Sequence, residues 1–405
     1  MAVNPAPLPD FHAIDGVRLG VTGAKMTSSE RDDLVVMEIA DGSCTAAVFT
    51  GNAFRAAPVI LAERALANNS PRFLLINTGN ANAGTGDQGM ADAERCCRAL
   101  AHAGGVQADQ VLPFSTGVIG EPLPVERICE ALPRALAALS PGAWHRAAPA
   151  IMTTDTQPKG ATRRIRIGSD WVHISGISKG AGMIRPNMAT MLAFVATDAA
   201  IPEERLRRLV TEAADRSFNR ITVDGDTSTN DACVVVATGR SAAEASDPEG
   251  RIAPELWAAV HDLFRELAQA IVRDAEGATR FVTVRVEQAC TEEEALAVAF
   301  TVAESPLVKT ALYAADPNWG RILAAVGRCG IDDLDVGRVG IFLDDVCIVQ
   351  DGGRASGYTE EAGQSVMEGT EPVIRIVLGR GQACERVWTC DFSHEYVTIN
   401  AEYRT

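Results

Sequence analysis

The chain has 405 residues, 47% hydrophobic and 22% charged, enough apolar side chain to fill more than one core and far from the polar signature of disorder. Its net charge of −16 repels phosphate backbones and anionic lipid, so neither nucleic acid nor a membrane surface is expected as a partner. No run approaches the ~18 apolar residues of a membrane helix and the opening segment lacks a basic stretch followed by an apolar core, so a cytoplasmic protein of two to three domains is expected.

In chain order, residues 34–40, 46–49 and 73–77 have the apolar character of short strands, and "PVILAERALANN" (58–69) has the 3.6-residue period of a helix. "NTGNANAGTGDQGM" (77–90) is a Gly/Asn-rich turn that leads into the helical "ADAERCCRALAHA" (91–103). Its glycines suit either a tight left-handed turn or an anion cradle of backbone amides. In "VLPFSTGVIGEPLPVERICEAL" (111–132) the residues 111–114 read as a strand, Ser115, Thr116 and Gly117 as a turn, and a helix is expected from near Pro124. Amides at such a turn can converge on an oxyanion, or the turn can be a plain one.

"IRIGSDWVHISGI" (165–177) predicts a hairpin of two alternating strands about Gly-Ser-Asp. "TMLAFVATDAAI" (190–201) is strand-like through Ala196, and "PEERLRRLVTEAADRSFNR" (202–220) is an amphipathic helix with acids in its first turn. "ACVVVATG" (232–239) is a buried strand, and "PELWAAVHDLFRELAQAIVRDAEG" (254–277) is the longest helix. From residue 280 four strand-like segments surround a helix at 293–305, which places a domain boundary near 280. No internal repeat or low-complexity tract is present.

The ten cysteines fall in apolar stretches with no C-x-x-C pair and no histidine at metal-ligand spacing, so reduced, mostly buried thiols are expected. "GDTSTND" (225–231) has acids and hydroxyls, but the apolar run after it favours a structural turn over a metal site, and no metal is assigned.

Thr190 opens an apolar run after a Gly/Pro/Asn loop, "GMIRPNMAT". The six histidines form no triad pattern that would activate its hydroxyl. If the Ala189–Thr190 bond is cut, the new α-amine, with an ordinary pKa of roughly 7.7–8.0, can serve as the base for its own hydroxyl. On the residues alone, a self-cleaving threonine and an ordinary strand start both stand.

"SKGAGMIRPNMATMLAFVATDA" (178–199) resembles the cleavage-site signature of the ornithine acetyltransferase family, the glutamate N-acetyltransferases of arginine biosynthesis. "INTGNANAGTG" (76–86), "PFSTGVIG" (113–120), "IMTTDTQPK" (151–159), "RSFNRITVDGDTSTND" (216–231), "DPNWGRI" (316–322) and "YVTINAEYRT" (396–405) resemble the family in the same order, over essentially the whole chain. Threonine and glutamate in "VTINAEYRT", and the loosely matching "TGAKMTSSERDDL", depart from the family pattern.

The resemblance implies an α/β protein: an αββα sandwich of the N-terminal-nucleophile type over residues 1–280, with a smaller α/β domain at 281–405 whose tail returns to the active site. It implies autoproteolysis between Ala189 and Thr190 into an α chain, 1–189, and a β chain, 190–405, assembled as a heterotetramer. Thr190 would be the nucleophile and new N-terminus, Thr116 and Gly117 the oxyanion hole, and Thr156, Lys179, Thr190, Glu276, Asn400 and Thr405 the substrate contacts.

The implied reaction is ping-pong transfer of acetyl from N2-acetylornithine to glutamate without a cofactor, and some members also use acetyl-CoA as donor. Three other readings stay open at this level: an N-terminal-threonine aminopeptidase or amidase, a paralogue acting on a secondary metabolite, and a binding protein that never cleaves.

Overall fold

A computed structural model describes residues 2–26, 31–185, 191–247, 249 and 251–402. The strands among them are β1 (Val17–Thr22), β2 (Leu34–Ile39), β3 (Cys44–Phe49), β4 (Phe73–Asn80), β5 (Val111–Val118), β6 (Lys159–Ile167), β7 (Asp170–Lys179), β8 (Leu192–Thr197), β9 (Ala232–Ala237), β10 (Phe281–Ala289), β11 (Gly340–Leu343), β12 (Val346–Gln350), β13 (Gly353–Arg354), β14 (Val373–Val377) and β15 (Ala383–Cys390). They form three sheets, ordered β1-β2-β4-β5, β3-β9-β8-β7-β6 and β13-β12-β11-β14-β10-β15.

The first two sheets pack face to face. Met37, Leu74, Ile76 and Phe114 of the first meet Ile177, Phe194 and Val234 of the second, with the Phe114 and Phe194 rings edge to face at 5.2 Å. Helices Gly86–Gly104 and Val125–Ala137 cover the outer face of the first sheet, through Cys97, Leu100, Ile128 and Leu132. Helices Glu203–Asp215 and Pro254–Arg273 cover the second through Leu206, Leu209, Leu263 and Ile271. The result is an αββα sandwich. It explains why β8 is buried at every position: Leu192 and Phe194 face the other sheet while Ala193 and Val195 face the helices.

The third sheet begins at Phe281 and has its own core around Val284, Ile341, Ile374 and Val387, covered by helix Glu292–Ala303. It docks on the sandwich through Phe281, Trp388 and Cys390, which join the core beneath helix Pro254–Arg273.

Several local expectations change. The run 73–77 extends to Asn80, and β5 continues through Ser115, Thr116 and Gly117, so these lie at a strand end and not in a turn. Parallel pairing of β4 with β5 sustains both, with a register shift at Gly79 and Asn80 that lets Thr116 face both Thr78 and Asn80. The tail forms helix His394–Ala401, capped by the Ser393 hydroxyl that accepts from the Tyr396 N–H. All ten thiols are free, but only Cys96, Cys97, Cys233 and Cys390 are fully buried. Among the described residues no single helix is long and apolar enough to cross a membrane.

Candidate active site

A cavity of about 300 Å³ opens where the ends of β5 and β7, the start of β8, the end of the long helix and the C-terminal helix meet. Thr116, Gly117, Lys179, Glu276 and Asn400, separated by up to 284 positions in the chain, all line it, as does Met191, the neighbour of Thr190. Ala189, Thr190 and Thr405 lie outside the described residues.

The Lys179 ammonium, at the end of β7, donates to the Thr116 hydroxyl at 3.2 Å. Burial pushes the Lys179 amine below the ordinary lysine value, against the pull of the Asp155, Asp231 and Glu276 carboxylates. Gly117 has φ +137, and a Cβ there would sit 2.3 Å from the Gly79 carbonyl carbon, so only glycine lets the two strands close up at this point. Asn77 braces the same ends: its carbonyl oxygen accepts from the Ser115 hydroxyl at 2.6 Å, and its amide donates to Asn80 O at 2.9 Å. Asn80 and Asn82 likewise bind their own loop or its neighbours, which is the work of the "NTGNANAGTG" asparagines.

Glu276 is buried just past helix Pro254–Arg273 and accepts from the Asn400 amide at 2.8 Å. Its carboxylate rests on the bare Cα of Gly182, where a Cβ would come within 2.4 Å of Oε2. The tail helix that carries Asn400 is pinned by the Ser393 hydroxyl, which donates to Gly277 O at 2.6 Å.

Thr156 is not part of the cavity wall; Thr153 and Thr154 are. Thr156 turns toward Asp274, to which both its N–H (3.0 Å) and its hydroxyl donate. The loop is fixed by a buried trio in which Lys159 donates to Asp155 and to Asp274, each at 2.6 Å. Asp155 also receives the Gly180 N–H at 2.7 Å, which ties the loop to the residue after Lys179. Burial acts to raise the Asp155 carboxyl, but Lys159, Lys179 and the Gly180 N–H outweigh it and hold it well below the usual range.

Three residues from the segment expected to be a structural turn, Ser228, Asn230 and Asp231, also face the cavity. Asn230 clamps the two sheets beneath it by donating to Ser115 O at 3.0 Å. Asp231 is buried, its Oδ2 has no hydrogen-bond partner among the described residues, and burial holds its carboxyl well above the usual range despite Ser228 and Lys179. The signal for it was an acid placed directly before an apolar strand, where solvation is lost. Among the described residues no group of three or more His, Cys, Asp or Glu side chains is gathered as a metal site.

Such a cavity, with a cation-anchored hydroxyl at one end and a buried carboxylate at the other, can hold a small ammonium-bearing amide with its carbonyl near Thr116. The model of the ArgJ family matches residues 16–405. The arginine biosynthesis bifunctional protein ArgJ of Pseudomonas fluorescens (strain Pf0-1) is 56% identical over 406 residues, covering 100% of both chains. Its counterpart from Methylococcus capsulatus (strain ATCC 33009 / NCIMB 11132 / Bath) is 57% identical over 392 residues, 97% of this chain and 96% of that one. The crystal structure of arginine biosynthesis bifunctional protein argJ from Bacillus halodurans superposes with a TM-score of 0.50 at 38% identity, over 53% of this chain and 100% of that chain. With matches of this length over every segment that builds the cavity, the chain belongs to the ArgJ family and is an acyltransferase of arginine biosynthesis.

Proposed function

We propose that the chain is cut between Ala189 and Thr190 and that the Thr190 hydroxyl then carries acetyl from N2-acetylornithine to glutamate. The observation that carries this reading is the convergence of Thr116, Gly117, Lys179, Glu276 and Asn400 on one cavity whose wall includes Met191.

In the cut, Oγ of Thr190 adds to the Ala189 carbonyl, the C–N bond breaks with its nitrogen taking the hydroxyl proton, and water hydrolyses the ester. The products are the chains 1–189 and 190–405. They stay together because the second sheet interleaves them: β6, β7 and β3 come from the first, β8 and β9 from the second, and β7–β8 pairing runs from Ile174↔Thr197 to Lys179↔Leu192. The second piece holds 216 residues, 53% of the chain, the same share that the whole Bacillus halodurans chain matches. A tetramer of two of each piece, a sandwich domain at 1–280 with a smaller domain at 281–405, and a cytoplasmic location complete the reading.

In the transfer, the new α-amine takes the proton of Oγ as Oγ bonds to the acetyl carbon. Thr116 and Gly117 receive the oxyanion, with Lys179 holding the Thr116 hydroxyl in place. The C–N bond of acetylornithine breaks as its nitrogen takes the proton back, and ornithine leaves. The amine of glutamate then attacks the acetyl-threonine ester by the reverse sequence, giving N-acetylglutamate and free Thr190. Glu276 and Asn400 receive the ammonium end of ornithine, Thr405 adds a contact from the tail, and Thr156 holds the 153–157 loop through Asp274. Acetyl-CoA as a second donor follows from the family resemblance and agrees with relatives named as bifunctional.

Intact mass spectrometry tests the reading. Two fragments summing to 42.9 kDa plus one water are expected, with Thr190 at the second N-terminus and acetyl exchange far exceeding acetyl release to water. A Thr190→Ala chain stays whole and inactive. Fully active protein with residue 190 still in peptide linkage would overturn it.

A further inference from the structure

The parallel pairing of β8 with β9 sets Leu192 opposite Ala232, and the Ala232 N–H donates to Met191 O at 2.9 Å. One step back along that register, Asp231 stands beside Met191, a single residue from the proposed cut. Asp231 is only 4% exposed and lines the cavity with Thr116, Lys179 and Met191. Glu276, the other acid lining it, is supplied with a donor by Asn400, and the buried acids behind the 153–157 loop are likewise supplied: Asp155 by Lys159 and Gly180, Asp274 by Lys159, Thr156 and Gln157. Oδ2 of Asp231 has no such partner among the described residues, a costly state for a buried polar atom.

In the intact chain the Ser228 hydroxyl and amide and the buried Lys179 amine lie near this carboxyl, and none of them bonds Oδ2. Cutting before Thr190 creates a primary amine one residue along the chain from Met191. We infer that Asp231 is the counter-charge of that α-amine, a positioning residue that acts on the reaction through it; the inference rests on the cut and transfer proposed above. In the reacting form the amine is neutral and the carboxylate ionised. The amine takes the Oγ proton to give an ammonium–carboxylate pair, then returns that proton to the leaving nitrogen, so the carboxylate strengthens the base without exchanging atoms. The rise that burial imposes on Asp231 in the intact chain, against the pull of Ser228 and Lys179, agrees with a carboxyl whose Oδ2 lacks a partner.

The test compares wild type with Asp231→Asn and Asp231→Ser in the processed protein. Both variants are expected to be cut completely, while kcat for acetyl transfer falls about 10- to 100-fold. The rate rises with pH as the amine loses its proton. A neighbouring carboxylate raises the amine's pKa, so its removal shifts the acid limb of kcat/KM to lower pH, by about one unit. Lys179, Glu276, Thr116, Asp155 and Lys159 around the cavity are unchanged in the variants, and a merely structural role would lower the thermal midpoint without moving the limb.

An unmoved limb, an unchanged kcat, a rise in KM alone, or variants that are not cut would each overturn the inference. Uncut but active wild type would instead overturn the reading it rests on. Should both variants fail to fold, cyanate labelling of the new N-terminus in cut wild type decides. An apparent pKa at or above the ordinary ~7.7–8.0 is expected, and a value well below it, the mark of a buried amine without an anion, overturns the inference.

Discussion

The Lys179 ammonium donates to the Thr116 hydroxyl across 3.2 Å, joining the end of β7 in one sheet to the end of β5 in the other. A hydroxyl whose lone pair is occupied by a cation directs its own proton elsewhere and donates more strongly. Thr116→Val preserves the volume and removes the donor. It is expected to lower kcat by about 10²–10³-fold with KM little changed, as read by steady-state acetyl transfer. A kcat within twofold of wild type would remove Thr116 from the oxyanion site.

Gly117→Ala places a methyl against the Gly79 carbonyl carbon, a backbone atom that cannot yield without separating β4 from β5. The expected outcome is loss of nearly all transfer activity, together with a lowered thermal midpoint. An active, equally stable alanine variant would show that the strand ends have slack.

Asn400→Ala removes the amide that donates to Glu276 at 2.8 Å. A hydrogen bond to a charged group contributes about 1.5–3 kcal/mol, and at this solvent-facing tail the lower figure applies. KM for acetylornithine is therefore expected to rise about tenfold, with kcat affected less. Glu276→Gln, which removes the charge itself, should raise it further.

Lys159→Met leaves Asp155 and Asp274 buried with no cation between them. Breaking a buried ion pair by removing one partner costs about 3–5 kcal/mol, which urea unfolding would read directly. Because the same lysine holds the loop bearing Thr153 and Thr154, activity should fall even at temperatures where the variant stays folded.

Arg273, on the last turn of the long helix, grips Glu371, just before β14 of the third sheet, with two hydrogen bonds of 2.8 Å each. Those bonds, aided by Asn4, hold the Glu371 carboxyl down from 4.5 to about 2. The folded value lies below the unfolded one, so the contact stabilises fully above about 4.5 and is lost as pH falls toward 2. Wild type should lose stability over that window more steeply than Glu371→Gln, as followed by thermal midpoint against pH. Parallel curves would mean that solvent screens the pair at this partly exposed site.

The elements were legible where burial follows a local period. The helix Pro254–Arg273, the hairpin of β6 and β7 about Gly168, and the strands β8 and β9 all lie where apolar spacing placed them. Thr116, Gly117, Lys179, Glu276 and Asn400 were named through motif resemblance, and the fold brings them to one cavity. Thr156, named through the same resemblance, does not line that cavity, because the loop's register is set by Asp155 and Asp274, and Asp274 lies 118 positions from Thr156.

By itself the sequence determined the strands, the main helices and the order of the family's motifs, since each depends on neighbours a few positions away. Only the tertiary structure decided which polar groups lose their water. Lys159, Asp274 and Asp231 look like surface residues in a one-dimensional reading. They become buried partners, or a buried carboxyl short of one, because distant segments close over them, and the free energy of a buried charge depends on what the fold places beside it.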